Sequence, residues 1–132
     1  MTKHRVLVVD DYPDAAESAV VWFALQGHDC RAVHTAKQAL DESLSFVPTI
    51  ALIDIGLPDR NGLDLASDLR GRFGTDLFIA AFTAWTQPDV ARRAFEVGCD
   101  HYIVKPASPS KLHLMLWLAE PSRRAARTQL SS

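Results

Sequence analysis

Five short apolar runs punctuate the chain, and each is followed by a stretch whose apolar positions recur at helical spacing. Arg5-Val-Leu-Val-Val9 and Thr49-Ile-Ala-Leu-Ile53 are continuous and β-branched, the pattern of strands covered on both faces. Cys30 to Val33, Leu77-Phe-Ile-Ala-Ala81 and His101-Tyr-Ile-Val104 supply three more strands. The spacing predicts helices over about residues 13–26, from Thr35 to just before Pro48, around Leu63, Leu65, Ala66 and Leu69, and over about 88–97 and 110–119. Local chemistry marks several of the boundaries. Pro13 occupies a first-turn position where a missing N–H costs nothing, with Asp14 and Glu17 placed to suit the helix dipole. Gly27 and Gly98 stand where helices stop, and Thr35 with Gln38 reads as a capping box.

Five consecutive strand–helix units imply a parallel sheet with helices on both faces. Right-handed crossovers and short connections narrow the topology to a flavodoxin-like α/β fold, doubly wound, with strand order 2-1-3-4-5 and five helices. At 132 residues the chain has room for one such domain, expected over residues 4–119. Residues 120–132, with Pro121, Arg123, Arg124 and Arg127, read as a polar and flexible end rather than a second domain.

In open α/β sheets, ligands bind beyond the carboxyl ends of the strands. Those ends carry Asp10 and Asp11 after the first strand, Asp54 after the third, Thr83 after the fourth and Lys105 after the fifth. The proposed order makes these strands neighbours, so the side chains should converge. Three carboxylates in one place repel each other, and one lysine cannot neutralise them. A divalent cation can, and an all-oxygen donor set without Cys or His suits Mg²⁺. A lone Asp at a strand end is usually a turn or cap residue, and a Lys-Pro pair usually a turn. Their coincidence at four adjacent strand ends is not explained by turn chemistry.

Composition changes this picture little. A net charge of −2 and a pI near 6.2 offer no broad basic surface, so no nucleic-acid partner is expected. The amino terminus leads into an apolar stretch too short for a signal peptide or a membrane span, which points to a cytoplasmic protein without membrane contact. Cys30 and Cys99 fall near opposite edges of the proposed sheet and are expected as free thiols. The five histidines show no metal-ligand spacing.

Val8-Val-Asp-Asp11, Asp54-Ile-Gly-Leu-Pro58 with Asn61-Gly62, Phe82-Thr-Ala84 and Val104-Lys-Pro106 together resemble the receiver domains of two-component response regulators, free-standing or of the hybrid-kinase type. The resemblance implies that Asp54 accepts a phosphoryl group from a histidine kinase or histidine phosphotransfer protein. It implies Mg²⁺ held by Asp11, Asp54 and the Gly56 carbonyl, with Asp10 on metal-bound water. Lys105, the Thr83 hydroxyl and the Ala84 N–H would meet phosphoryl oxygens, and the Lys105–Pro106 bond would be cis. Thr83 and Tyr102 would form a switch read out on the fourth helix, fifth strand and fifth helix, with a homodimer through the fourth and fifth helices. Such a domain phosphorylates and dephosphorylates itself rather than turning over many substrates.

Two alternatives have distinct signatures. A receiver-fold adaptor would bind its protein partner without phosphate. An aspartyl phosphatase would carry a second Asp two residues beyond the nucleophile, where this chain has Gly56. Two residues past Thr83 stands Trp85, a ring large enough to shield a phosphoryl group.

Overall fold

Strand and helix alternate through the residues described by the structure, a computed structural model covering residues 2–124. The order is β1 (Arg5–Val9), α1 (Pro13–Leu25), β2 (Asp29–Val33), α2 (Ala36–Phe46), β3 (Ile50–Asp54), α3 (Gly62–Phe73), β4 (Phe78–Thr83), α4 (Pro88–Glu96), β5 (His101–Val104) and α5 (Pro109–Ala119). All four pairings are parallel and the sheet order is β2-β1-β3-β4-β5, as the sequence predicts. A short 3-10 helix at Gly74–Asp76 lies between α3 and β4, beyond the five helices expected.

The pleat explains why the central strands β1, β3 and β4 read as continuous apolar runs. Leu7, Val9, Ala51, Ile53, Ile79 and Ala81 point to one face and join the core beneath α2, α3 and α4. Val6, Val8, Ile50, Leu52, Phe78, Ala80 and Phe82 point to the other and pack with Phe23 of α1 and Met115 of α5. Beyond Arg5, the residues of β1, β3 and β4 therefore bury their side chains whichever way they point, while the edge strands β2 and β5 are only partly covered.

Register positions the functional edge. Val9 lies opposite Ile53, Asp54 opposite Phe82, and Thr83 opposite Val104. Asp10, Asp54, Thr83 and Lys105 thus emerge side by side. β4 runs two residues further than its apolar run suggests, because Phe82 and Thr83 still pair with Ile103 and Val104. At α2, the Thr35 hydroxyl caps Gln38 N–H as expected, but the Gln38 side chain reaches His34 N–H rather than that of Thr35.

The chain beyond α5 continues through a helical turn at residues 121–124, where the N–H groups of Arg123 and Arg124 donate to the Glu120 carbonyl. The Arg123 guanidinium lies 4.2 Å over the Trp117 ring. The remainder of the expected flexible end, including Arg127, lies outside the described residues. Both cysteines are free, and burial pushes their thiols up to about 12. Among the described residues no helix is long and apolar enough to cross a membrane.

At the opposite end of the sheet, His4 and His28 are buried together with ring centroids 5.5 Å apart. His28 Nδ1 accepts from His4 N–H at 2.9 Å, and His4 Nδ1 lies 3.0 Å from the Thr49 hydroxyl. Neither Nε2 has a hydrogen-bond partner among the described residues. Burial lowers both imidazoles from the ordinary histidine value, helped at His4 by His28, Arg124 and Arg5 against Glu120, and at His28 by Lys3. The folded protein therefore takes up these protons at lower pH than the unfolded chain, which does so near pH 6.5. Stability should fall as pH drops below about 6.5, by at most about 1.4 kcal/mol per pH unit for each histidine. Asp10, raised by burial, works in the opposite sense, so the comparison must be with a variant. His28→Asn keeps an acceptor near the Nδ1 position and should flatten the acid limb. Urea midpoints between pH 8 and 5 measure this, and parallel profiles for the two proteins would refute it.

Candidate functional site

Because β1 and β3 are adjacent and parallel, Asp10 and Asp54 leave the sheet within reach of each other. One carboxylate oxygen from each of Asp10, Asp11 and Asp54 lies within 4.8 Å of the others. Asp10 and Asp54 are buried, while Asp11 is exposed. Lys105, arriving from β5, places Nζ 3.1 Å from Asp54 Oδ2 and 3.5 Å from Asp10 Oδ2. Its ammonium also rests 4.7 Å from the centre of the Phe82 ring. The Lys105–Pro106 bond is cis.

The two buried acids each have one oxygen tied to the backbone. Asp10 Oδ1 accepts from Tyr12 N–H, and Asp54 Oδ1 from Gly56 N–H, both at 3.0 Å. Asp10 Oδ2 is buried with no hydrogen-bond partner among the described residues, although Lys105 stands nearby as a counter-charge. Burial raises the Asp10 carboxyl above its ordinary range, offset in part by the Tyr12 N–H and Lys105. Three carboxylates against one ammonium leave the site with excess negative charge and an unsatisfied oxygen. That donor set fits a hard divalent cation such as Mg²⁺.

The remaining expected residues lie on the same edge. Gly56 is exposed in the loop after β3, held by an isolated bridge to Asn61. Thr83 is buried at the end of β4, and its hydroxyl accepts from Trp85 N–H at 3.0 Å. Ala84 follows it, exposed. The half-buried Tyr102 donates its hydroxyl to the Trp85 carbonyl at 2.5 Å. The Trp85 backbone thus touches both Thr83 and Tyr102, while its ring is about half exposed.

Two residues missed by sequence reasoning also belong to this edge. His34 Nδ1 donates to the Asp10 carbonyl at 2.9 Å, the direction following from a carbonyl's inability to donate. Asp59 holds the start of α2 from the loop after β3. Only the position of His34 at the end of β2, on the same edge of the sheet, could have flagged it.

Residues 6–116 match the family model of the response regulator receiver domain. The chain is 34% identical over 110 residues to the DNA-binding response regulator MtrA of Mycolicibacterium smegmatis, covering 83% of this chain and 47% of that protein. It is 33% identical over 113 residues to the phosphate regulon transcriptional regulatory protein PhoB of Pseudomonas aeruginosa, covering 85% and 49% respectively. The chain spans about half the length of these curated relatives. Among solved structures, a CheY-like receiver domain from Methylobacillus flagellatus superposes with a TM-score of 0.81 at 27% identity, covering 90% of this chain and 100% of that one. A CheY-like receiver domain from Methanospirillum hungatei reaches 0.85 over 95% and 99%, and at 22% identity it speaks for the fold alone. The expected absence of a nucleic-acid partner is not supported by these relatives, since MtrA is a DNA-binding regulator. With this fold, this edge of acids and lysine, and a match over most of its length, the chain belongs to the response regulator receiver domain family of two-component signalling.

Proposed function

We propose that Asp54 accepts a phosphoryl group from a histidine kinase or histidine phosphotransfer protein, with Mg²⁺ required, and that the added charge switches the α4–β5–α5 face. The observation that carries this reading is the Asp54 carboxylate at the end of β3, 3.1 Å from Lys105 inside a group of three acids. Asp11, Asp54 and the Gly56 carbonyl would hold the cation, with Asp10 on its water. Bound there, Mg²⁺ supplies charge neutralisation for the acids and for the incoming phosphoryl oxygens.

Phosphoryl transfer asks the protein mainly for alignment and for charge placed where it develops. One Asp54 oxygen attacks phosphorus, the bond from phosphorus to the donor imidazole breaks, and the imidazole keeps the electron pair and takes up a proton. The product is an acyl phosphate on Asp54. Lys105, already beside Asp54, then shifts its contact to a phosphoryl oxygen. The Thr83 hydroxyl takes another, and the Ala84 N–H assists.

The switch follows from what Thr83 must give up. Its hydroxyl accepts from Trp85 N–H, and Tyr102 holds the carbonyl of that same residue. A phosphoryl group adds about −1.5 to −2 charge, enough to draw the Thr83 hydroxyl across. Loss of the Thr83–Trp85 contact frees the turn that Tyr102 grips, and the change passes to α4, β5 and α5. That face carries Phe95, Leu114 and Trp117, each about half exposed, which suits a homodimer or a protein target. On α1, Val21 and Leu25 are exposed beside Asp14 and Glu17, a surface suited to the phosphodonor.

Beryllofluoride, which mimics the acyl phosphate, tests the whole reading. Titrated with Mg²⁺, it should shift the backbone amide resonances of Ala84 and Trp85 and the ring resonances of Tyr102. A radiolabelled small phosphodonor should label the protein in Mg²⁺ and not in excess chelator. Absence of both responses would leave the phosphate-independent adaptor as the better reading. Sedimentation of the same samples reads the dimer, and a monomer with and without beryllofluoride would remove it.

A further inference from the structure

The loop between β3 and α3 carries Gly56 and continues directly from Asp54, so its placement governs half of the acidic cradle. Its inner side is well anchored. Ile55 and Leu57 are buried in the core, Gly62 N–H donates to the Ile55 carbonyl at 2.8 Å, and Gly56 bridges to Asn61. Its outer side is exposed: Arg60 pairs there with Asp68 of α3 at 2.8 Å, and the contact to α2 is made by Asp59. Asp59 Oδ1 accepts from Ala36 N–H at 2.9 Å, and Oδ2 from Lys37 N–H at 3.0 Å. These are the first two N–H groups of α2, which lack partners within the helix and carry its positive dipole end. They hold the Asp59 carboxyl below its ordinary range. The next free donor, Gln38 N–H, is taken by the Thr35 hydroxyl.

The same turn of α2 reaches the other half of the cradle. His34 N–H donates to the Gln38 side chain at 2.8 Å, and the His34 ring donates to the carbonyl of Asp10 at 2.9 Å. One helical turn therefore grips both acid-bearing loops, the Asp10–Asp11 loop through His34 and the Asp54–Gly56 loop through Asp59. Octahedral Mg²⁺ tolerates little error in the placement of its oxygens, so the separation of the two loops bears directly on affinity.

We infer that Asp59, anchored on the first two amides of α2, is a positioning element that sets the spacing of the cation cradle. This rests on the reading of Asp11, Asp54 and Gly56 as cation ligands. Both Asp59 oxygens are occupied by α2 amides, so it acts through the loop and does not itself reach the cation.

The competing explanation is that Asp59 only stabilises α2, and Thr35 provides the control. Thr35→Ala removes a cap from the same helix without touching the loop after β3. Calorimetric titration of Mg²⁺ into Asp59→Ala should show affinity about tenfold weaker than wild type, in the range typical of lost outer contacts. Asp59→Asn, which keeps one oxygen acceptor, should recover part of the loss, and Thr35→Ala should bind as wild type does. Equal weakening in Asp59→Ala and Thr35→Ala, or no weakening in Asp59→Ala, overturns the inference. A second readout needs no metal: amide exchange at Gly56 and Gly62 in the cation-free protein should quicken in Asp59→Ala and not in Thr35→Ala. If wild type binds no Mg²⁺, the cation reading fails by itself. The brace is then decided by exchange alone, with unchanged rates counting against it.

Discussion

Asp54→Asn is expected to fold normally and to take up no phosphoryl label, whatever the donor. The amide is close to the carboxylate in shape, so the packing of Asp54 at the end of β3 survives. Its oxygen can still accept from Gly56 N–H. What it loses is a nucleophile, because an amide oxygen lacks the charge that attacks phosphorus. Removing one charge from a buried pair is often costly, since the partner is left uncompensated. Here the partner keeps a counter-charge: Lys105 retains Asp10 at 3.5 Å and is partly open to solvent. Relief of repulsion among three acids offsets the rest, and stability should change by only about 1 kcal/mol. The variant therefore separates chemistry from folding. Scintillation counting after gel electrophoresis, paired with a urea titration, measures both. Label on Asp54→Asn at the wild-type level would move the acceptor to another residue and end the assignment.

The elements that made the fold legible are the ones whose signals are local. A β-branched run bounded by Gly, Pro or Asp specifies a buried strand, and the caps at Pro13, Thr35 and Gly98 specify where helices begin and end. Five such units in order leave little freedom, so sheet order followed from handedness and short connections. The 3-10 helix at Gly74–Asp76 did not follow, because two nearby glycines announce a stop without saying how the chain turns. Within the site, Asp10, Asp11, Asp54, Thr83 and Lys105 were legible because each terminates a strand, and the sheet brings strand ends together. Asp59 and His34 were not. Asp59 is 22 and 23 residues from the amides it holds, and His34 is 24 from the carbonyl it reaches. Such partners are set by which strands are neighbours and how loops lean, not by any periodicity nearby. The nucleic-acid expectation lacks support for another reason: the charge of a chain half as long as its relatives says nothing about their other half.

Gly62→Ala should be among the most damaging single substitutions in the domain, and the same helix contains its control. A methyl group at Gly62 would sit 2.1 Å from the Asp54 carbonyl oxygen, 2.7 Å from Ile55 Cα and 2.9 Å from the Asp54 carbonyl carbon. All three are backbone atoms of the segment that carries the acceptor, so none can yield without moving Asp54. Gly62 N–H is also bonded to the Ile55 carbonyl at 2.8 Å, which prevents the start of α3 from drifting outward. Overpacking of this kind costs about 3 kcal/mol or more when only backbone can respond. At Gly71, also in α3, an added methyl meets nothing within 4 Å. There the ordinary helix preference for alanine governs, and Gly71→Ala should gain about 1 kcal/mol. Urea midpoints should therefore move in opposite directions for two chemically identical substitutions nine positions apart. Gly62→Ala should in addition lose Mg²⁺ affinity while Gly71→Ala retains it, because only the first displaces the loop behind Asp54. If both variants shift stability the same way, the close approach of α3 to the acceptor strand is not what fixes the site.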